Sequence, residues 1–107
     1  MGLFNFFRNA TDINTSVAEY ETNDGAVLLD VRTAEEYCDG HIDGSVNIPL
    51  DRISSVENTV KDKSTPLYVH CLSGGRSGQA VSYLKQIGYT NAKSIGGISN
   101  YRGKVVK

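Results

Sequence analysis

Two apolar runs set the pattern of the chain: Ala26-Val27-Leu28-Leu29, closed by Asp30-Val31-Arg32, and Leu67-Tyr68-Val69, introduced by Pro66. Neither run alternates with polar residues. Each therefore reads as a strand buried on both faces, as in the middle of a parallel sheet covered by helices. The spacing of Ala80, Val81, Leu84 and Ile87, stopped by Gly88, predicts a helix directly after the second strand. Ile53, Val56 and Val60 recur at helical spacing behind Pro49, which is tolerated in a first turn because its missing N–H is needed by no one there.

The rest of the pattern fills in around these segments. Residues 11–13 read as a short edge strand. Ser16-x-x-Glu19 matches a capping box, and Val17 with Tyr20 fits a helix ending near Asn23-Asp24-Gly25. Thr33-x-x-Glu36 is a second capping box, opening a short helix through Tyr37 and Cys38. Gly40–Gly44 is loop, Ser45–Asn47 a short strand, Asp62–Thr65 a connector and Ala92–Ile95 a last strand. Gly96-Gly97 and a short helix at Ile98–Tyr101 follow. Strands alternating with helices at these lengths predict an α/β fold with a mostly parallel, five-stranded sheet and helices on both faces. Residues 1–10, with Phe4 and Phe7, read as an N-terminal arm or docking helix, and residues 11–107 as one domain.

Composition narrows the function. The chain has 107 residues, 39% hydrophobic and 21% charged, with a formal net charge of -1. That balance gives no electrostatic reason for a nucleic-acid partner or an anionic membrane surface. No apolar run reaches membrane-spanning length, and the apolar start Met1–Phe7 is too interrupted for a secretory core. A reducing, cytoplasmic setting is the expectation. The cysteines, Cys38 and Cys71, form neither a redox Cys-x-x-Cys nor a zinc set, so no metal or cofactor is called for.

The chemistry concentrates in Cys71-Leu72-Ser73-Gly74-Gly75-Arg76-Ser77, between the second buried strand and its helix. A tight loop there turns backbone N–H groups inward, where the positive end of the helix dipole also points. Such a nest stabilises a thiolate and the anion it attacks, so Cys71 is expected to ionise more readily than an ordinary thiol. Gly74 and Gly75 allow positive φ or close approach to a ligand. Arg76, a cation in a first helical turn, requires a compensating anion: a substrate, which this reading favours, or a carboxylate such as Asp30 or Glu36. Ser77 is expected to cap the helix and to reach Cys71. Asp30 and Arg32 follow the first strand and are expected to support the loop. His41 and His70 are read as structural, because a nest-held thiolate needs no base; Cys38 is read as filler rather than a resolving thiol.

Four segments in order resemble the rhodanese family: Leu28-Leu29-Asp30-Val31-Arg32-Thr33-x-Glu35-Glu36-Tyr37, Gly40-His41-Ile42-x-Gly44-Ser45-x-Asn47-Ile48-Pro49, Cys71-x-x-Gly74-x-Arg76-Ser77, and Gly96-Gly97-Ile98. Asp43 stands where that family commonly has proline, and Tyr101 where it often has tryptophan. The resemblance implies a single rhodanese-like domain whose Cys71 takes a sulfane sulfur as a persulfide. The donor would be a small anion such as thiosulfate, and the acceptor cyanide, a small thiol or a protein thiol. In that family the thiosulfate-preferring two-domain enzymes carry basic residues at the first loop positions and the mercaptopyruvate enzymes carry Gly-Ser-Gly. Leu72-Ser73-Gly74-Gly75 matches neither, so the resemblance leaves the donor open. Two other classes share the chemistry. Cys-dependent phosphatases and arsenate reductases use a loop one residue longer between Cys and Arg, and a persulfide carrier or redox-sensing module needs no turnover on small donors.

Overall fold

The structure, a computed structural model, describes residues 12–107; the arm expected over residues 1–10 lies outside the described residues. Helix α1 (Ile13–Glu21) leads into strand β1 (Val27–Asp30), helix α2 (Ala34–Asp39) and the short strands β2 (His41–Ile42) and β3 (Val46–Asn47). A 3-10 segment (Leu50–Ser55) runs into helix α3 (Val56–Thr59), strand β4 (Leu67–Cys71), helix α4 (Gly75–Gln86) and strand β5 (Ala92–Gly97). A 3-10 turn (Ile98–Asn100) and strand β6 (Val105–Val106) close the chain.

Four parallel strands in the order β3-β1-β4-β5 make the central sheet. The five-stranded expectation is corrected at the start of the chain. Asp12 captures the first turn of α1 instead of joining a strand: its Oδ1 accepts from Asn14 N at 3.0 Å and its Oδ2 from the Thr15 hydroxyl at 2.8 Å. That cap also displaces the one expected at Ser16, whose N–H already donates to the Asp12 carbonyl at 3.0 Å. A ribbon was not anticipated at all: His41–Ile42 pairs antiparallel with Val105–Val106, apart from the main sheet. At the other corrected boundary, Pro49 sits just ahead of its helical segment, which is 3-10 with a break at Arg52.

Every residue of β4 is buried, as a strand with neighbours on both edges and helices on both faces requires. Its side chains divide by the two-residue period. Leu67, Val69 and Cys71 pack with Leu29, Val31, Ile53, Val56, Val60, Val81 and Leu84 toward α3 and α4. Tyr68 faces the other way and packs with Leu28, Ile95, Ile13 and Val17 of α1. Leu28 and Leu29 are fully buried on opposite faces, and truncating either to Ala costs about 2–5 kcal/mol. These two layers leave the carboxyl ends of β1 and β4 side by side, with Asp30 opposite His70 in the register. The crevice at those ends is where open α/β sheets place their ligands.

Candidate functional site

The thiol of Cys71 lies at the last residue of β4, at the foot of a loop that turns straight into α4. Gly74 makes this turn: its φ of 114° and ψ of -18° fall in the left-handed region that only glycine occupies without strain. Gly75 does not share that conformation, so of the two glycines one is demanded by the backbone. The turn brings Gly74 N to 3.0 Å and Ser77 N to 3.3 Å from Cys71 Sγ, both donating to the sulfur. Cys71 is 1% exposed, yet its pKa lies below that of an ordinary thiol. Burial is the strongest single influence and opposes ionisation. The contact with the Ser77 hydroxyl and the hydrogen bonds from the backbone N–H groups of Ser77, Gly74 and Ser73 together outweigh it.

Ser77 does not cap α4, because Gly74 occupies the cap position and Ser77 lies inside the first turn. Its hydroxyl sits 3.6 Å from Cys71 Sγ, donates to the Gly74 carbonyl at 3.0 Å and meets the Ser94 hydroxyl at 2.8 Å. Ser94 on β5 therefore belongs to the loop's support, although nothing in its local sequence marks it. The same holds for Gly97. A Cβ there would lie within 2.5 Å of the Leu72 carbonyl carbon and the Ser73 Cα, and closer still to the Leu72 oxygen. Ser99 N then donates to that same Leu72 carbonyl at 3.1 Å. Leu72 itself points outward at the tip, 45% exposed.

Arg76 is matched by a carboxylate, not left open. Its two terminal nitrogens donate to the two oxygens of Glu36 at 2.7 and 3.0 Å, a two-point bond of fixed geometry. Glu36 also accepts from Thr33 N at 2.9 Å, completing the capping box of α2 anticipated in the sequence. The guanidinium, followed by that backbone bond, holds the Glu36 carboxyl down at about 2.

Asp30 and Arg32 form a second pair, fully buried at the carboxylate, with Arg32 Nη2 2.7 Å from Asp30 Oδ2. Arg32 Nη2 also reaches the Gly40 carbonyl at 2.8 Å, and the Asn47 amide donates to the carbonyls of Asp30 and Arg32, both at 3.0 Å. The pair thus fixes the segment after β1 that walls the site. His70 turns its ring to the opposite face of the sheet from Cys71. Its Nε2 stands 3.9 Å from Asp30 Oδ2 with no hydrogen-bond partner among the described residues, and burial pushes its pKa down, which favours the neutral ring. His41 stacks on Tyr37 at 3.7 Å and bonds the Tyr37 carbonyl through Nδ1 at 2.8 Å. Cys38 is exposed on α2.

A buried thiol with inward N–H groups at a helix start favours bound negative charge. The family model of the rhodanese-like domain matches residues 14–104. The chain is 36% identical over 80 residues to thiosulfate sulfurtransferase PspE of Escherichia coli, covering 74% of this chain and 77% of that one. It is 34% identical over 101 residues to the chloroplastic thiosulfate sulfurtransferase 16 of Arabidopsis thaliana, covering 84% of each. A solved rhodanese with anions from E. coli superposes with a TM-score of 0.72 at 35% identity, over 77% of this chain and 98% of that one. SSP1007 from Staphylococcus saprophyticus superposes with a TM-score of 0.79 at 28% identity, over 92% and 98%. The family-model match over residues 14–104, together with these relatives, places the chain in the rhodanese-like domain family.

Proposed function

We propose that the chain is a sulfurtransferase that carries a sulfane sulfur on Cys71. The observation behind this reading is the pair of backbone N–H groups, Gly74 and Ser77, aimed at a buried sulfur whose pKa they help to lower. The thiolate attacks the outer sulfur of a small donor. The Sγ–S bond forms as the donor's own bond to that sulfur breaks, and the leaving group departs with the electron pair. The product, Cys71–S–S⁻, keeps its charge within reach of the loop N–H groups and the N-terminus of α4. A thiophilic acceptor, cyanide or a thiol, then takes the terminal sulfur and returns the thiolate. The names of the two relatives, both thiosulfate sulfurtransferases, support this assignment of reaction class.

The loop holds four residues between Cys71 and Arg76, Leu72 to Gly75. A ring of that size suits one sulfur atom and crowds a tetrahedral oxyanion, which argues against the phosphatase class. The test is formation of thiocyanate from cyanide and a sulfane donor, beside hydrolysis of an aryl phosphate. Thiocyanate formation that Cys71→Ser abolishes and Cys38→Ser retains is expected. Phosphate release dependent on Cys71, without thiocyanate, would reverse the assignment.

A further inference from the structure

Two hydroxyls from distant parts of the chain meet beside the sulfur. Ser77 is fully buried in the first turn of α4. Ser94 stands on β5, where it lines a depression with Ser73, Gly74, Gly96, Gly97 and Asn100. Their oxygens are 2.8 Å apart, and Ser94 lies outside the four segments that carry the family resemblance. A contact that short needs a proton between the oxygens. Ser77 has one proton, and it points to the Gly74 carbonyl at 3.0 Å. The proton between the oxygens is therefore that of Ser94, so Ser94 donates and Ser77 accepts.

This order of donors decides what Ser77 can do for Cys71. In the thiol, the S–H points at Ser77 Oγ across 3.6 Å. In the thiolate the sulfur only accepts, and the Ser77 proton can turn to it by leaving Gly74. That exchange costs little, because the Gly74 carbonyl keeps the bond from Gly78 N at 3.2 Å. Ser94, still donating to Ser77 Oγ, then completes a run of two hydroxyls pointing the same way at the sulfur. Hydrogen bonds aligned in series strengthen one another. An accepting Ser94 would do the reverse and draw the Ser77 proton off the sulfur.

We propose that Ser94 is a positioning residue that acts through Ser77. Its hydroxyl donates to Ser77 Oγ and leaves the Ser77 proton free to follow the charge, onto Cys71 Sγ in the thiolate and back to the Gly74 carbonyl once a bound sulfur carries the charge away. Each hydroxyl keeps its own proton, and no covalent bond changes. The turn toward the thiolate holds for any use of that thiolate, whereas the return to Gly74 rests on the sulfurtransferase reading above. The charged groups around Cys71 are held by other partners. Arg76 is paired with Glu36 of α2, and Arg32 with Asp30 after β1. Asp51 of the 3-10 segment lines the depression that Arg76 also lines. His70 turns to the opposite face, and Lys93 of β5 bonds Glu19 of α1. Substitution of either serine leaves all of these in place.

The test is a thiolate titration by ultraviolet absorbance on four full-length chains, each carrying Cys38→Ser: the parent, Ser94→Ala, Ser77→Ala and the double variant. Ser94→Ala is expected to raise the Cys71 pKa toward that of an ordinary thiol. In the Ser77→Ala chain, which has no hydroxyl to act through, the same substitution should leave the titration where it is. A lowered pKa in Ser94→Ala would reverse the order of donors. An equal rise in both backgrounds would make the effect of Ser94 independent of Ser77. Either result, or an unmoved titration, overturns the proposal. The pH profile of kcat/KM for thiosulfate, with cyanide as acceptor, separates positioning from support. Ser94→Ala should lower it about two- to tenfold on the acid limb and meet the parent on the alkaline plateau. Ser94→Thr, which keeps the hydroxyl, should follow the parent throughout. A fall by one factor at every pH would mark Ser94 as a support of the fold and contradict the proposal. The titration needs no sulfur donor. Absence of sulfur transfer in the parent would therefore remove the sulfurtransferase reading, and the return step with it, while the titration still decides the order of donors.

Discussion

Arg76 and Glu36, forty positions apart in sequence, are joined at two points, Nη1 to Oε1 at 2.7 Å and Nη2 to Oε2 at 3.0 Å. The bond ties the first turn of α4 to the first turn of α2, so the two helices that border the loop are fixed relative to one another. Its stabilising effect depends on pH in a defined direction. Glu36 is depressed from 4.5 to about 2 in the folded chain. Its contribution is therefore fully present above pH 4.5 and is lost as pH falls toward about 2. The side chains of Arg76 and Glu36 are 34% and 29% exposed, and solvent screening keeps the effect to about 1 kcal/mol. Urea unfolding followed across that window should show a shallower loss of stability in Glu36→Gln than in the wild type. Identical slopes would show that the pair adds nothing to stability.

Gly97 and Gly75 make opposite demands, and substitution should separate them. A methyl group at Gly97 meets the backbone of Leu72 and Ser73, which cannot yield as a flexible side chain would. Gly97→Ala is expected to cost about 1–3 kcal/mol and to displace the Leu72–Ser73 backbone of the loop. At Gly75 the added methyl meets nothing within 4 Å, and the position opens a helix without positive φ. Gly75→Ala should therefore stabilise the chain by about 0.4–1 kcal/mol. Thermal unfolding of both variants checks the pair; a destabilised Gly75→Ala with a tolerant Gly97→Ala would contradict the packing described here.

Ser77 lowers the Cys71 pKa through both its hydroxyl and its N–H, and only the first can be removed by mutation. Ser77→Ala keeps the backbone donors at 3.0 and 3.3 Å and deletes the hydroxyl, together with its bonds to Gly74 and Ser94. The thiolate pKa should rise toward that of an ordinary thiol. Ultraviolet titration of the thiolate, in a Cys38→Ser background that leaves one thiol, measures it. An unchanged titration would assign the whole effect to the backbone.

The parts of this fold that were legible in sequence are those decided within a few residues. The buried strands were written in uninterrupted apolar runs, and the Thr33–Glu36 capping box is a reciprocal bond across one turn. Cys71 stood out because a strand, two glycines and a helix start met there. Where two local signals competed, the pattern misled: Ser16-x-x-Glu19 looks like a cap, but Asp12 reaches the orphan N–H groups first, and the expected edge strand becomes the start of α1. Contacts between distant segments left no such trace. The Asp30 and Glu36 candidates for Arg76 were indistinguishable in sequence, because which carboxylate it meets depends on how α2 docks beside α4. The β2–β6 ribbon joins two-residue strands far apart in the chain, too short for any periodicity to register. Ser94 and Gly97 support the loop from β5 through a hydroxyl pair and a close backbone approach, and neither follows from neighbouring residues.

The central claim is that Cys71 carries the sulfur. Its most direct test is intact mass, with peptide mapping, of the full chain after a sulfane donor and again after cyanide. The account predicts one added sulfur located on the peptide containing Cys71, lost on addition of cyanide, absent in Cys71→Ser and retained in Cys38→Ser. Sulfur found on Cys38, or no sulfur on Cys71 with an intact fold, would contradict it.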